Sequence, residues 1–212
     1  MKAVTAAWIA LAATIAQGQA VRMKVLIGGK PAGAAVCSLK FLPDGSIETG
    51  LDMTFNVSGV ETSASSRFIT DKRGRPRMQS IRQSAPGFSD FRKVMYGKDS
   101  ITVIKELQSR VTSEKLPIPR GARIASESNV WFALVTPTKG AADTSSLYDL
   151  QRSKWISKTT RYEGAQDITF KGKKVRAHRV VDGAGTFFVD EKGLPYRLTF
   201  TEQGIRFVIE RS

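Results

Sequence analysis

Apolar and polar residues alternate along most of this chain, in segments of about six to ten residues that end at turns containing glycine or proline. In residues 47–57, for example, Leu51, Met53 and Phe55 fall on one face of an extended chain and polar residues occupy the other. The connecting turns are short, which forces neighbouring strands to run antiparallel. The predicted strands are residues 21–27, 34–42, 47–57, 60–70, 77–83, 91–96, 101–107, 147–150, 154–162, 167–170, 175–181, 186–190, 196–201 and 205–210.

The strand predicted at residues 60–70 carries few large apolar side chains on either face. Such a composition is typical of a sheet edge or of a face exposed to solvent. Farther along, residues 91–96 and 101–107 are expected to pair across the turn at 97–99.

The strand pattern is interrupted at about residues 117–143. Pro117 and Pro119 remove two backbone donors within three residues, which excludes a helix or a central strand there. The polar stretch 126–129 then offers N-cap residues to an apolar cluster that contains Trp131 and Phe132, so we expect a short helix. A buried strand is the alternative, because valine and phenylalanine favour strands.

These features predict a mainly β fold: a curved antiparallel sheet or half-barrel built of two meanders, with a short helix packed in the concave face. Met53 and Phe55 on the sheet, together with Trp131 and Phe132 in the helical segment, are the candidate residues for an apolar ligand cleft. The alternative for the two adjacent rings is ordinary core packing.

The first 20 residues have the organisation of a secretory signal. Lys2 precedes an uninterrupted run of apolar and small residues at 3–16, and the segment ends at Ala20 in a small-x-small pattern. We expect cleavage after Ala20, export to the periplasm or medium, and one β domain at residues 21–212 with no transmembrane segment. An uncleaved N-terminal membrane anchor is the alternative.

The strongly basic balance points to anionic partners. The formal charge is +14 for the whole chain and +13 once Lys2 leaves with the signal. Lipid headgroups, lipoproteins and the anionic envelope surface fit this charge, whereas export argues against nucleic acid as a partner. Two turns concentrate the cations, although solvated turns of this composition are also ordinary. The residues proposed for anionic contact are Lys72, Arg73, Arg75, Arg77, Lys173 and Lys174.

No catalytic or cofactor-binding constellation is recognisable, so we expect no enzyme, no metal and no cofactor. The chain has one histidine, His178, and one cysteine, Cys37. A hydrolase would need a carboxylate beside His178, and Asp190 and Glu191 are better suited to the turn before Gly193. Cys37 lies in an alternating strand and is expected to be a buried thiol.

The segment from Phe187 to Arg197, Phe-Phe-Val-Asp-Glu-Lys-Gly-Leu-Pro-Tyr-Arg, together with the outline of two meanders around a short helix, resembles the periplasmic lipoprotein-carrier-like half-barrels and related exported families. The resemblance implies a curved sheet that encloses an apolar cleft for acyl chains. It therefore implies an exported, non-enzymatic binding module for an apolar or amphiphilic ligand, such as a lipid or a lipoprotein acyl chain. This chain lacks the lipid-attachment cysteine of the anchored carriers. The alternative is a structural or protein-interaction domain with a filled core.

Overall fold

The computed structural model describes residues 18–124, 131–132, 137–183, 185–202 and 204–212. These residues form a single sheet of 14 strands. The strands are β1 Gln19–Ile27, β2 Lys30–Phe41, β3 Ile47–Val57, β4 Val60–Thr70, β5 Pro76–Ala85, β6 Phe88–Tyr96, β7 Ser100–Leu107, β8 Arg110–Pro117, β9 Ala142–Asp149, β10 Lys154–Phe170, β11 Lys173–Asp182, β12 Gly185–Val189, β13 Pro195–Glu202 and β14 Ile205–Arg211.

The sheet consists of two antiparallel meanders joined along the first and last strands. The strand order is β8-β7-β6-β5-β4-β3-β2-β1-β14-β13-β12-β11-β10-β9. β1 and β14 pair in register from Met23 opposite Arg211 to Ile27 opposite Phe207. The predictions of a mainly β fold, of two meanders and of pairing between residues 91–96 and 101–107 are therefore confirmed.

The largest buried cluster lies where the two meanders join. Met23 and Val25 of β1 pack with Phe207 and Ile209 of β14, and Val25 and Ile209 are completely buried. Burial of each such side chain contributes about 1.5–3 kcal/mol to folding. The seam between the meanders is thus part of the hydrophobic core.

The sheet curves until its two ends face each other, although β8 and β9 do not pair. Val94 and Val103, from β6 and β7, share a buried cluster with Tyr148 at the end of β9. The Arg92 guanidinium donates hydrogen bonds to the carbonyl oxygens of Leu150 and Gln151, at 2.9 and 2.8 Å. These contacts hold the turn between β9 and β10 against the other end of the unclosed sheet.

Two strands differ from their predicted form. β8 was not predicted because the only large apolar side chains in Arg110–Pro117 are Val111 and Leu116, which are five positions apart and therefore give no alternating pattern, and most of the strand is exposed. It is the edge strand of the first meander, where one face and one edge meet water. β10 runs as one strand through two predicted ones, since the register shift between Tyr162 and Gly164 absorbs the break in alternation.

Of the two alternatives for residues 60–70, a sheet edge or a face exposed to solvent, the sheet edge is wrong. β4 pairs with both β3 and β5 within the sheet, and most of its residues are half-buried or buried. Its small inward-facing side chains, such as Ser66, lie on the inside of a strongly curved sheet. Ser66 lines a cavity there, so its small side chain leaves space on the inward face.

The predicted short helix has no support, because the described residues contain no helix with defined ends. Much of that segment, residues 125–130 and 133–136, lies outside the described residues, as does the signal segment up to residue 17. β1 begins at Gln19, so cleavage after Ala20 would shorten it by two residues. In the described part of the chain, no helix has the length and apolar character needed to cross a membrane.

Candidate functional site

The curved sheet encloses an apolar inner cavity of about 150 Å³. It lies between β2–β5 of the first meander and β11–β13 of the second. Space exists there because Ser66 of β4 stands between the larger residues Leu51 and Ile81 of its neighbouring strands. The main apolar side chains of its wall are Leu51, Phe68, Phe132, Val180, Leu194 and Leu198.

Cys37 forms part of the wall of the inner cavity and is buried, as predicted. Burial in these apolar surroundings raises the pKa of its thiol to about 12, and nearby Arg211 offsets this in part. The thiol is therefore almost entirely protonated at neutral pH, which makes it a poor nucleophile.

We expect Cys37 to react with a disulfide reagent such as DTNB at pH 8 at least about a hundredfold more slowly in the folded than in the unfolded protein, since both thiolate fraction and access are reduced. The measurement is the rate of thionitrobenzoate release with and without guanidinium chloride. Val60→Cys in a Cys37→Ala background is the control, because Val60 is exposed. Equal rates for Cys37 in both states would contradict its placement in the wall.

A larger open cleft, about 1120 Å³ in volume, lies beside the turn between β4 and β5. Its apolar surface comes from Tyr96, Ile118 and Trp131. Its polar surface is dominated by the residues of the 71–77 turn, together with Lys98 and Arg123. The cleft thus combines aromatic and aliphatic groups with a concentration of positive charge. We refer to it below as the basic cleft.

The Asp71 side chain fixes the conformation of this turn. Its Oδ1 accepts hydrogen bonds from the backbone N–H groups of Arg73 and Arg75, at 2.8 and 3.0 Å. Gly74 follows with a φ of 77°, in the left-handed region that glycine adopts without strain. The turn therefore holds two arginine side chains on a defined loop at the mouth of the cleft.

Two of the cations in the basic cleft are already paired. Arg77 Nη1 lies 2.6 Å from Asp44 Oδ2, and Arg123 Nη1 lies 2.7 Å from Asp143 Oδ1. Hydrogen bonds from Ser46, and then from Arg77, hold the pKa of Asp44 below its usual value, so the Arg77 pair stays ionised.

Four other cations of the basic cleft have no ion-pair partner among the described residues. These are Lys72, Arg73, Arg75 and Lys98, and all four are exposed. Of the sequence-predicted cations, Lys72, Arg73, Arg75 and Arg77 therefore share one cleft, with Arg77 the least available to a ligand. Lys173 and Lys174 begin β11, are exposed, and are not among the residues lining the basic cleft.

The two candidate aromatic residues lie at the boundary between the cavities. Trp131 lines the basic cleft and Phe132 lines the inner cavity, with their ring centroids 6.3 Å apart. Phe132 is anchored edge-on against Tyr162, with a centroid distance of 5.7 Å. Because the two rings are adjacent, the apolar cavity and the basic cleft lie side by side.

Met53 and Phe55 lie elsewhere on the inner face of the sheet. Phe55 packs edge-on against Phe207, with centroids 6.0 Å apart, and belongs to the core at the seam between the meanders. Met53 packs on the same core and borders a small cavity next to Gln151. The structure does not bring these two residues together with Phe132 in one cavity.

His178 is half-buried, and its ring packs against the aromatic rings of Tyr162 and Phe132. Its Nδ1 is 2.7 Å from the Tyr162 hydroxyl, and its ring is 5.5 Å from that of Phe132. Among the described residues, no carboxylate lies within hydrogen-bonding distance of His178, and no three His, Cys, Asp or Glu residues cluster as metal ligands. Asp190 caps its turn as expected, accepting hydrogen bonds from the N–H groups of Lys192 and Leu194.

Several residues of the site were not found from the sequence. Lys98, Arg123 and Tyr96 join the basic cleft from separate strands and loops, and nothing in their local sequence distinguishes them. The inner cavity had a signal that could have been used: the small side chains Ala64 and Ser66 alternate on the inward face of β4. Small residues in the middle of a sheet indicate space.

The fold and its cavities define a β-barrel-like protein with an unclosed, strongly curved antiparallel sheet. A solved structure supports this class: the β-barrel-like protein of domain of unknown function DUF1849 from Brucella abortus matches with a TM-score of 0.57 and 10% identity. The match covers 93% of this chain and 96% of that one. No family model and no curated protein matches the sequence.

At 10% identity this likeness shows a distant barrel-like fold and nothing finer. The likeness does not identify this chain as a member of the lipoprotein-carrier family that the outline of its sequence resembles. That part of the resemblance has no support from the comparisons.

Proposed function

We propose that this protein is an exported, non-catalytic binding module for an amphiphilic ligand. The observation that carries the proposal is the adjacency of Trp131 and Phe132, which line a basic cleft and an apolar cavity side by side. An amphiphile needs one apolar and one polar environment at a fixed separation. The boundary between these two cavities offers both.

The volumes suggest how such a ligand is divided between the two cavities. An apolar cavity of about 150 Å³ holds a group about the size of benzene, so it accepts only the end of an acyl chain. The basic cleft, at about 1120 Å³, is slightly larger than the usual range of ligand pockets. The head group and the first part of the chain would then occupy the cleft, and the chain terminus would pass Trp131 and Phe132.

Ser66→Leu tests this proposal, because it adds an apolar side chain to the wall of the inner cavity. We expect the affinity for a fluorescent fatty-acid probe, such as dansyl-undecanoic acid, to fall by about tenfold or more, while the melting temperature stays unchanged or rises. Filling an apolar void adds packing without removing a described hydrogen bond. The measurement is a fluorescence titration below the critical micelle concentration of the probe.

Ser65→Leu is the matched control, since the neighbouring side chain points to the opposite face of β4. It should leave the affinity within about twofold of the wild type. Native mass spectrometry of protein purified from its host envelope adds a second readout: co-purified lipid, and a chain that begins at Val21. A clean apoprotein that also fails to bind the probe would favour a structural or protein-interaction domain with no small ligand.

A further inference from the structure

We propose that the basic cleft recognises a phosphate-bearing head group that carries about two negative charges, in preference to a carboxylate. This inference rests on the proposed function, because it assigns the chemistry of the polar end of the same ligand. Its basis is the balance of charge in the cleft and the way the 71–77 turn presents its arginines.

Positive charge exceeds negative charge in the lining of the cleft. Six cationic residues line it, whereas Asp71 and Asp143 are the acidic ones among the lining residues. Asp143 forms an ion pair with Arg123, and Arg77 forms an ion pair with Asp44. After these pairs are formed, the cations without a described partner are Lys72, Arg73, Arg75 and Lys98.

The turn directs recognition to side chains and not to the backbone. The N–H groups of Arg73 and Arg75 are occupied by the Asp71 carboxylate, at 2.8 and 3.0 Å, so an anion cannot use them as a nest of amide donors. Arg73 and Arg75 themselves are exposed and line the cleft, so their guanidinium groups remain for the ligand. A guanidinium presents a planar pair of donors that matches two oxygens of a phosphate.

A carboxylate is a poor match for this site. It carries one charge and two oxygens, so it can satisfy one guanidinium in bidentate fashion and leaves the other cations of the cleft repelling one another. A phosphate monoester carries about 1.5–2 negative charges at pH 7 and three acceptor oxygens. It can therefore bridge Arg73 and Arg75 and still attract Lys72 or Lys98.

The inner cavity argues for a lipid as the source of the phosphate. Trp131 borders the cleft and Phe132 borders the cavity, so a phosphate held by the turn would have an apolar path beside it. A small soluble phosphate would leave that path unused. The test therefore compares a phosphate attached to an acyl chain with a phosphate that has no chain.

The experiment is isothermal titration calorimetry at constant ionic strength and below the critical micelle concentration, with three probes. Lysophosphatidic acid has a phosphate monoester and one acyl chain, a fatty acid of the same chain length has a carboxylate, and glycerol 3-phosphate has the phosphate without the chain. We expect lysophosphatidic acid to bind at least about tenfold more tightly than either of the others, since the lost charge-assisted contacts or the lost chain burial each reduce affinity.

The test variant is Arg73→Gln/Arg75→Gln, and the control is Lys173→Gln/Lys174→Gln. Both remove two exposed cations from a turn or its edge, but the control residues are not among those lining the basic cleft. The test variant should lose at least about tenfold in affinity for lysophosphatidic acid and the control less than about twofold. The affinity for the fatty acid should fall less than that for lysophosphatidic acid in the test variant, because a carboxylate can engage only one of the two guanidinium groups.

The outcomes separate this inference from the proposed function. Equal affinity for lysophosphatidic acid and the fatty acid, unchanged by Arg73→Gln/Arg75→Gln, overturns phosphate recognition and leaves amphiphile binding intact. Glycerol 3-phosphate binding as tightly as lysophosphatidic acid, and only with both arginines present, supports phosphate recognition but overturns the role of the acyl chain. Absence of binding by all three probes overturns both proposals.

Discussion

Arg92→Ala is expected to lower the free energy of unfolding by about 3–5 kcal/mol, because it removes one partner of a buried ion pair. Arg92 binds Asp90 through two of its nitrogens, at 3.0 and 2.7 Å, and the Asp90 side chain is only 10% exposed. The same guanidinium donates to the carbonyl oxygens of Leu150 and Gln151. Alanine leaves a buried carboxylate without its counter-ion and two carbonyl groups without their donor.

The measurement is urea unfolding followed by tryptophan fluorescence, with Arg176→Ala as the control. Arg176 pairs with Asp167 at 3.2 Å, but both side chains are largely exposed, so its loss should cost no more than about 1 kcal/mol. Asp90→Asn should destabilise less than Arg92→Ala, since it leaves no buried negative charge. If Arg92→Ala were as mild as the control, the two ends of the sheet would not be held together by this residue.

Gly33→Ala is the second substitution with a large expected effect, a loss of about 3 kcal/mol. Gly33 lies in β2 opposite Phe55 of β3. A Cβ atom at this position would collide with the carbonyl oxygen of Thr54 and would come within 2.6 Å of the Phe55 Cα. Because these are backbone atoms, no change of rotamer relieves the contact, and the ladder between β2 and β3 must shift.

Gly183→Ala provides the matched control, because a Cβ there meets no atom within 4 Å and the glycine does not have a positive φ. This variant should be neutral or more stable by about 0.4–1 kcal/mol, since alanine restricts the unfolded chain. Thermal unfolding of the two variants side by side checks the prediction. Equal stability of Gly33→Ala and wild type would mean that β2 and β3 are not in the register described here.

The fold was largely predictable because its information is local. Period-2 alternation and short turns define hairpins one after another, and consecutive hairpins produce a meander whatever the rest of the chain does. The exceptions have local causes. Arg110–Pro117 gives no apolar pattern as an edge strand, and the bulge near Gly164 interrupts the alternation of a continuous strand.

The candidate site was predictable only in part, because it depends on which distant strands meet when the sheet curves. The 71–77 turn was recognisable by its cations, but Lys98 and Arg123 join it through tertiary packing. Met53 was chosen because it lies on the apolar face of a strand, yet the same face also forms the core at the seam between the meanders. Alternation identifies the inward face and does not distinguish the filled part from the open part.

The pairing of β1 with β14 has a consequence for the way the chain folds. Every other strand pair in the sheet joins neighbours in sequence, whereas this ladder places Met23 opposite Arg211. Each meander can form from local hairpins. Pairing of β1 with β14, in contrast, requires the closure of nearly the whole chain, which is entropically costly and slow. During synthesis, β1 is exposed as an unpaired edge until the last strand has been made. The strand that completes the core is therefore also the one whose absence leaves the nascent protein most prone to aggregation.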